Sequence, residues 1–117
     1  MASTDIGRYT PWPLSVTCTD RGDGTLRIRV IGELDTCVVT DFHAQVTGLV
    51  KAPIRAVELD LDGVRFCDAA GLRELLTLRH RAAQQQIMVV LVAAHPAVRY
   101  VLGLVGQQAW IPGSGQR

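Results

Sequence analysis

The stretch Val57-Glu58-Leu59-Asp60-Leu61-Asp62-Gly63-Val64-Arg65-Phe66-Cys67-Asp68-Ala69-Ala70-Gly71-Leu72 contains the change of hydrophobic period on which the fold turns. Val57, Leu59 and Leu61 share one face and Glu58 and Asp60 the other, because successive side chains of a strand point to opposite sides. Residues 56–61 therefore read as a strand with an acidic face. Asp62-Gly63 bends the chain, and the apolar pair Val64 and Phe66 follows. Asp68 stands where a helix cap belongs, since its carboxylate can accept from an unpaired amide of the first turn. Beyond it Leu72, Leu75, Leu76, Leu78 and Ala82 recur at helical spacing and predict a helix to about Gln85. A strand thus delivers an acidic cap and two very small residues to a helix start, where free amides favour negative charge.

Downstream, the run from Ile87 to Val92 has no polar interruption, which predicts a central strand over residues 86–94, buried on both faces of a parallel sheet. Pro96 suits the first position of a third helix because its missing amide would be unpaired there anyway. His95 can cap that helix, Val98, Val101, Leu102 and Val105 form its buried stripe, and Gly106 can end it. Trp110 and Ile111 are expected to make a short edge strand before Pro112. Upstream, Leu14, Val16 and Cys18 alternate as a half-buried strand, and Asp20-Arg21-Gly22-Asp23-Gly24 supplies turn chemistry. The second arm of this hairpin runs from Leu26 to about Leu34, with Leu26, Ile28 and Val30 facing one way and Arg27 and Arg29 the other. Val38, Val39, Phe42, Val46, Leu49 and Val50 then mark a first helix, capped by Asp35 or Thr36 and stopped by Pro53.

The order β-β-α-β-α-β-α, with a last strand at Trp110, describes one α/β domain. Its mixed, largely parallel sheet has about four to five strands, an N-terminal hairpin and about three helices. The domain is read as residues 14–112, between a flexible arm at 1–13 and a flexible tail at 113–117. A chain of 117 residues with 48% hydrophobic and 20% charged residues suits a single folded domain rather than disorder. A formal charge of +1 offers no general attraction to nucleic acid or anionic lipid. The longest apolar run, 87–94, falls well short of the roughly 20 residues that cross a bilayer. Direct nucleic-acid binding and membrane insertion are therefore not expected. The N-terminus lacks a signal-peptide pattern, so a cytoplasmic location is expected.

Candidates for catalysis are sparse. His43, His80 and His95 are dispersed. Glu58, Asp60, Asp62 and Asp68 invite a Mg²⁺ reading, but strand alternation places only the first three on one side, and a solvated strand end plus a helix cap accounts for them. The glycines at 103 and 106 lack a phosphate-binding pattern. No catalytic residue, metal or cofactor is expected. Cys18, Cys37 and Cys67 form an odd set without a C-x-x-C spacing, so reduced thiols are the default. Cys37 and Cys67 fall beside the two acidic motifs, where a helix N-terminus can lower a thiol pKa. They are the candidate redox residues; the competing reading makes Cys67 a small core residue, with Phe66 and the local strand pattern pointing inward.

Taken with Gly32-Glu33-Leu34-Asp35 upstream and Ala97-Val98-Arg99-Tyr100-Val101-Leu102 downstream, the opening stretch resembles the STAS domain of bacterial anti-sigma factor antagonists, over about residues 14–112. The resemblance implies a noncatalytic α/β regulator that binds an anti-sigma factor, usually a serine-kinase-like ATPase, and so releases a sigma factor. In that family the second motif commonly reads D-S-S-G-L, and its second serine is phosphorylated. Here it reads Asp68-Ala69-Ala70-Gly71-Leu72, so Ala70 holds the switch position with a methyl group and the resemblance implies that the switch is lost. It also implies a docking surface of Asp35, Thr36, Asp68, Ala69, Ala70, Gly71, Leu72 and Arg73. The family's C-terminal helix has no counterpart in 113–117. The alternative is a STAS module of a lipid-transport ABC system or of a multiprotein stress scaffold. The oligomeric state, the particular partner and the upstream signal stay open.

Overall fold

A computed structural model describes residues 14–113. The flexible arm read at 1–13, and residues 114–117 of the tail, lie outside the described residues. In chain order the elements are β1 (Ser15–Asp20), β2 (Thr25–Leu34), α1 (Val39–Leu49), β3 (Ala56–Cys67), α2 (Ala69–Gln84), β4 (Met88–Ala94) and α3 (Pro96–Leu104), followed by a 3₁₀ turn at Gln108–Trp110. The strands form one sheet in the order β1-β2-β3-β4. β1 pairs antiparallel with β2, whereas β2, β3 and β4 run parallel. The mixed sheet, hairpin and three helices expected from the sequence are present.

Both parallel connections step the same way across the sheet. Right-handed crossovers therefore lay α1 and α2 on one face. That face is the apolar one: Leu26, Ile28, Val30 and Leu34 of β2 and Val57, Leu59, Leu61 and Val64 of β3 are all buried. Onto them pack Phe42 and Val46 of α1, Leu72, Leu75 and Leu78 of α2, and Val98 and Leu102 of α3. Each such side chain contributes about 1.5–3 kcal/mol of burial, enough to overrule weak local preferences. Among the described residues the opposite face carries exposed and half-buried side chains. There Arg27 bridges Glu58 at 3.3 Å and Asp60 at 3.5 Å, and Arg21 reaches Glu58 at 2.9 Å. The acidic strand face is thus a partner for the arginines of β2 and the turn; among the described residues no group of three or more His, Cys, Asp or Glu could hold a metal ion.

Several elements differ from the sequence reading. β4 is an edge strand, not a central one: Met88 is 66% and Val90 42% exposed on the opposite face. Its unbroken apolar run concealed the usual in-out alternation, because the outward residues are apolar as well. β3 does not end at Leu61. It continues through Asp62-Gly63 to Cys67, with register shifts against β2 that absorb the bend. A Cβ at Gly63 would come within 2.8 Å of the Ile31 side chain, so the glycine admits close strand contact there. Trp110 and Ile111 do not form a strand. The Trp110 indole donates instead to the Val89 carbonyl at 3.1 Å, and Arg79 lies 4.7 Å over its ring. In β1 Leu14 precedes the strand and is buried, while Cys18 is exposed. His95 does cap α3, its Nδ1 accepting from the Ala97 amide at 3.0 Å with Pro96 in the first turn.

Candidate functional site

The two acidic motifs end neighbouring parallel strands, and the register places Leu34 opposite Cys67. Asp35 and Asp68 therefore leave the same edge of the sheet, where a parallel α/β sheet presents its loops and helix starts. The Asp68 amide donates to the Leu34 carbonyl at 3.2 Å, which extends the strand pairing by one residue.

Asp68 is the α2 cap, with an extended backbone and one oxygen, Oδ1, accepting from the Gly71 amide at 2.9 Å. Its other oxygen, Oδ2, accepts from the Thr36 amide at 3.1 Å and the Thr36 hydroxyl at 3.2 Å. One carboxylate thus fastens the β2–α1 loop to the α2 start. Burial works against its charge, but the bonds from Gly71, from the amide and hydroxyl of Thr36, and from the Ala70 amide outweigh it and hold the carboxyl below its ordinary value. Capping of α1 by Asp35 or Thr36 is not observed. Val38 takes the cap position without a side-chain bond, because Thr36 is bound to Asp68 and the Asp35 carboxylate accepts from the Cys37 amide at 2.9 Å. The Asp35 carbonyl also receives the Val38 and Val39 amides and closes the turn before the helix.

Gly71 explains how closely these parts approach. A Cβ there would overlap the Leu34 carbonyl oxygen and lie 2.9 Å from its carbon, so only glycine lets α2 start against the β2 backbone. Of the eight residues singled out for docking, Thr36, Ala69 and Arg73 are exposed, and Asp35, Asp68 and Ala70 are half-buried. Gly71 and Leu72 are buried and serve packing. Phe66, 47% exposed and paired across to Glu33, adds an aromatic surface beside this edge. The sequence reading had it pointing inward; the register shift between Val64 and Phe66 changes the alternation, so Phe66 faces out and Cys67 in.

Of the two readings of Cys67, a redox thiol or a small core residue, the environment favours the second. Burial, then the neighbouring Asp68 charge, pushes the thiol up to about 12. At neutral pH it is a protonated core residue whose Sγ lies 3.7 Å from the Asp68 carbonyl. Cys37 is exposed. His43, one of the three dispersed histidines, bridges α1 to α2 through a 2.7 Å contact with Glu74.

The family model of the STAS domain matches residues 19–114. This chain belongs to the STAS domain family. The STAS fold superimposes on an anti-sigma factor antagonist from Mycobacterium paratuberculosis with a TM-score of 0.73 at 24% identity, covering 86% of this chain and 84% of that one. It also superimposes on the anti-sigma factor antagonist SpoIIAA in its unphosphorylated form, with a TM-score of 0.70 at 20% identity over 83% and 85% of the two chains. At these identities the likeness is one of fold. A human putative solute carrier family 26 member 10P is 39% identical over 61 residues, which are 49% of this chain and only 11% of that protein. Among the described residues no helix is long and apolar enough to cross a membrane.

Proposed function

We propose that this STAS domain is a noncatalytic protein-binding regulator, an anti-sigma factor antagonist that docks its partner on the edge built by the β2–α1 loop and the start of α2. The observation that carries the reading is the Asp68 carboxylate. By holding Thr36 and Gly71 together it makes one continuous surface of the two sequence motifs, with Ala69, Ala70 and Arg73 facing the approach. Support comes also from the fold shared with anti-sigma factor antagonists, one of them solved in both unphosphorylated and phosphorylated forms. In this reading the partner is a serine-kinase-like anti-sigma factor, and the protein works in the cytoplasm. Ala70 occupies the position of the family's phosphorylated serine and, having no hydroxyl, cannot accept phosphate. Redox control through Cys67 is not part of the proposal, because its thiol is buried and protonated.

The test uses the purified protein and the anti-sigma factor encoded nearest to it, measured by calorimetric titration. Ala70→Glu places a charge in the interface and is expected to weaken binding at least tenfold while the thermal transition is retained, since an uncompensated charge desolvated in an interface costs several kcal/mol. Unchanged affinity places the interface elsewhere. The solute-carrier match favours a second reading, a regulatory module of a transport system. Co-purification with transporter subunits in place of a kinase-like ATPase would select it.

A further inference from the structure

α1 and α2 leave between them a groove of about 920 Å³ that opens at Ala69, on the docking edge. Its lining follows α2 from Ala69 to the C-cap Gln85, which at 1.5 Å per residue is about 24 Å of helix. Its floor is the nearly buried side chains of Val46 and Val50 of α1 and Leu72 of α2, and half-buried Leu76 stands beside them. The charges around them are one-sided. Lys51, Arg73 and Arg81 line the groove and make no ion pair among the described residues, and His80 adds a further basic group. Glu74 is the one carboxylate in the lining, and the His43 ring occupies it at 2.7 Å.

An elongated groove with an apolar floor and unanswered cations takes an apolar stripe flanked by carboxylates. We propose that the groove between α1 and α2 is the docking site for an acidic amphipathic helix of a protein partner. A free anion is a poorer match. The three cations are spread along the groove rather than converging on one point, as an isolated phosphate would need. A nucleic-acid strand would leave half-buried Leu76 without an apolar complement. The inference rests on the docking reading above, since the groove begins at the α2 start, and it adds the chemistry of the segment that the partner presents.

The probe is a stapled amphipathic helix of about 16 residues with a leucine stripe and glutamates on its remaining positions, which matches the groove in length. A control carries lysines in place of the glutamates, and a second control is single-stranded oligothymidylate. Amide and methyl resonances of the full chain are followed by NMR during titration. The acidic helix should shift Val46, Val50, Leu72 and Leu76, bind at least tenfold tighter than the lysine helix, and weaken as salt rises. The double variant Lys51→Glu, Arg81→Glu should lose about tenfold for the acidic helix and gain for the lysine helix. Both side chains are exposed and unpaired, so folding is expected to survive, which the thermal transition checks; Arg29→Glu on the opposite sheet face should change nothing. Equal affinity for the two helices, shifts located elsewhere, no shifts up to about 1 mM peptide, or oligothymidylate binding the groove as tightly would each overturn the proposal. The readouts separate the two readings. If Ala70→Glu leaves affinity for the anti-sigma factor unchanged while the acidic helix still fills the groove, the docking reading fails alone. If Ala70→Glu weakens partner binding but the acidic helix ignores the groove, the groove proposal fails alone.

Discussion

Replacing Asp68 separates two jobs that its two oxygens perform. Oδ1 caps α2 through Gly71, and Oδ2 holds the β2–α1 loop through both donors of Thr36. Asp68→Ala removes both. Loss of the cap costs about 1 kcal/mol. The two Thr36 bonds add about 1 kcal/mol together, at the low end for a charged acceptor because Thr36 is exposed and its donors return to water. The sum is about 2 kcal/mol, or a fall in Tm of about 8 °C for a domain of this size. Asp68→Asn keeps one acceptor oxygen and turns an NH₂ group toward the other donor set. With the oxygen on Gly71 the cap survives and the Thr36 tether is lost, for about 1 kcal/mol and about 4 °C. Calorimetry measures the two steps, and amide exchange at Thr36 and Cys37 should speed up equally in both variants. The depressed carboxyl fixes the pH sign. Its contribution is present above the ordinary value of 3.8 and disappears as pH falls through the lower folded-state value, so wild type and Asp68→Asn should converge only in acid. An Asp68→Asn protein with wild-type Tm and wild-type Thr36 exchange, or one as unstable as Asp68→Ala, would refute the division of labour.

Gly71→Ala should cost at least about 2 kcal/mol, because its methyl meets the Leu34 carbonyl, which is backbone and cannot rotate away; a Tm within about 2 °C of wild type would contradict this packing. An alkylating probe at pH 8 should label exposed Cys18 and Cys37 in the native protein and reach Cys67 only after unfolding. Raising the Cys67 pKa to about 12 also makes the native state lose stability as pH rises above the ordinary thiol value of 9.0 toward 12, a loss that Cys67→Ala should not show in alkaline melts. Trp110→Phe removes the indole bond to Val89 and weakens the arginine stack, and should cost about 1–2 kcal/mol by chemical unfolding with no change at the docking edge.

Much of this architecture is legible because period and capping agree with burial. Leu26, Ile28 and Val30 alternate against Arg27 and Arg29, and the structure places the first set under the helices and the second on the opposite face. Asp68 and His95 can be recognised as caps because an oxygen or ring nitrogen three or two residues before an unpaired amide answers a local need. The misread elements depended on partners distant in sequence. Thr36 resembles a cap for α1 until Asp68, 32 residues later, claims its amide and hydroxyl. Met88 and Val90 resemble buried residues until the strand order puts β4 at the edge, where both side chains are exposed. Trp110 resembles a strand residue until the Val89 carbonyl of edge strand β4 gives its indole a bond. The alternation at Phe66 and Cys67 depends on register shifts between β2 and β3, which a pattern within one strand does not display.

The same geometry bears on how a STAS domain with alanine at position 70 could be controlled. Ala70 is half-buried at the start of α2, and its amide helps to hold the Asp68 carboxyl low. A phosphate attached there would bring a charge of about −1.5 to −2 next to that carboxylate and compete for the amides that sustain it. Modification at this position would therefore act on Asp68 as well as on the partner, and through Asp68 on Thr36. With a methyl group at position 70 the competition does not arise. On the proposed reading, the tether between the two motifs stays intact while Asp68 is ionised, and the docking edge remains assembled at neutral pH. Regulation must then come from the availability of the partner or from contacts that leave Asp68 undisturbed, and among the structural features described the groove between α1 and α2, which runs from this edge along α2, offers such a contact.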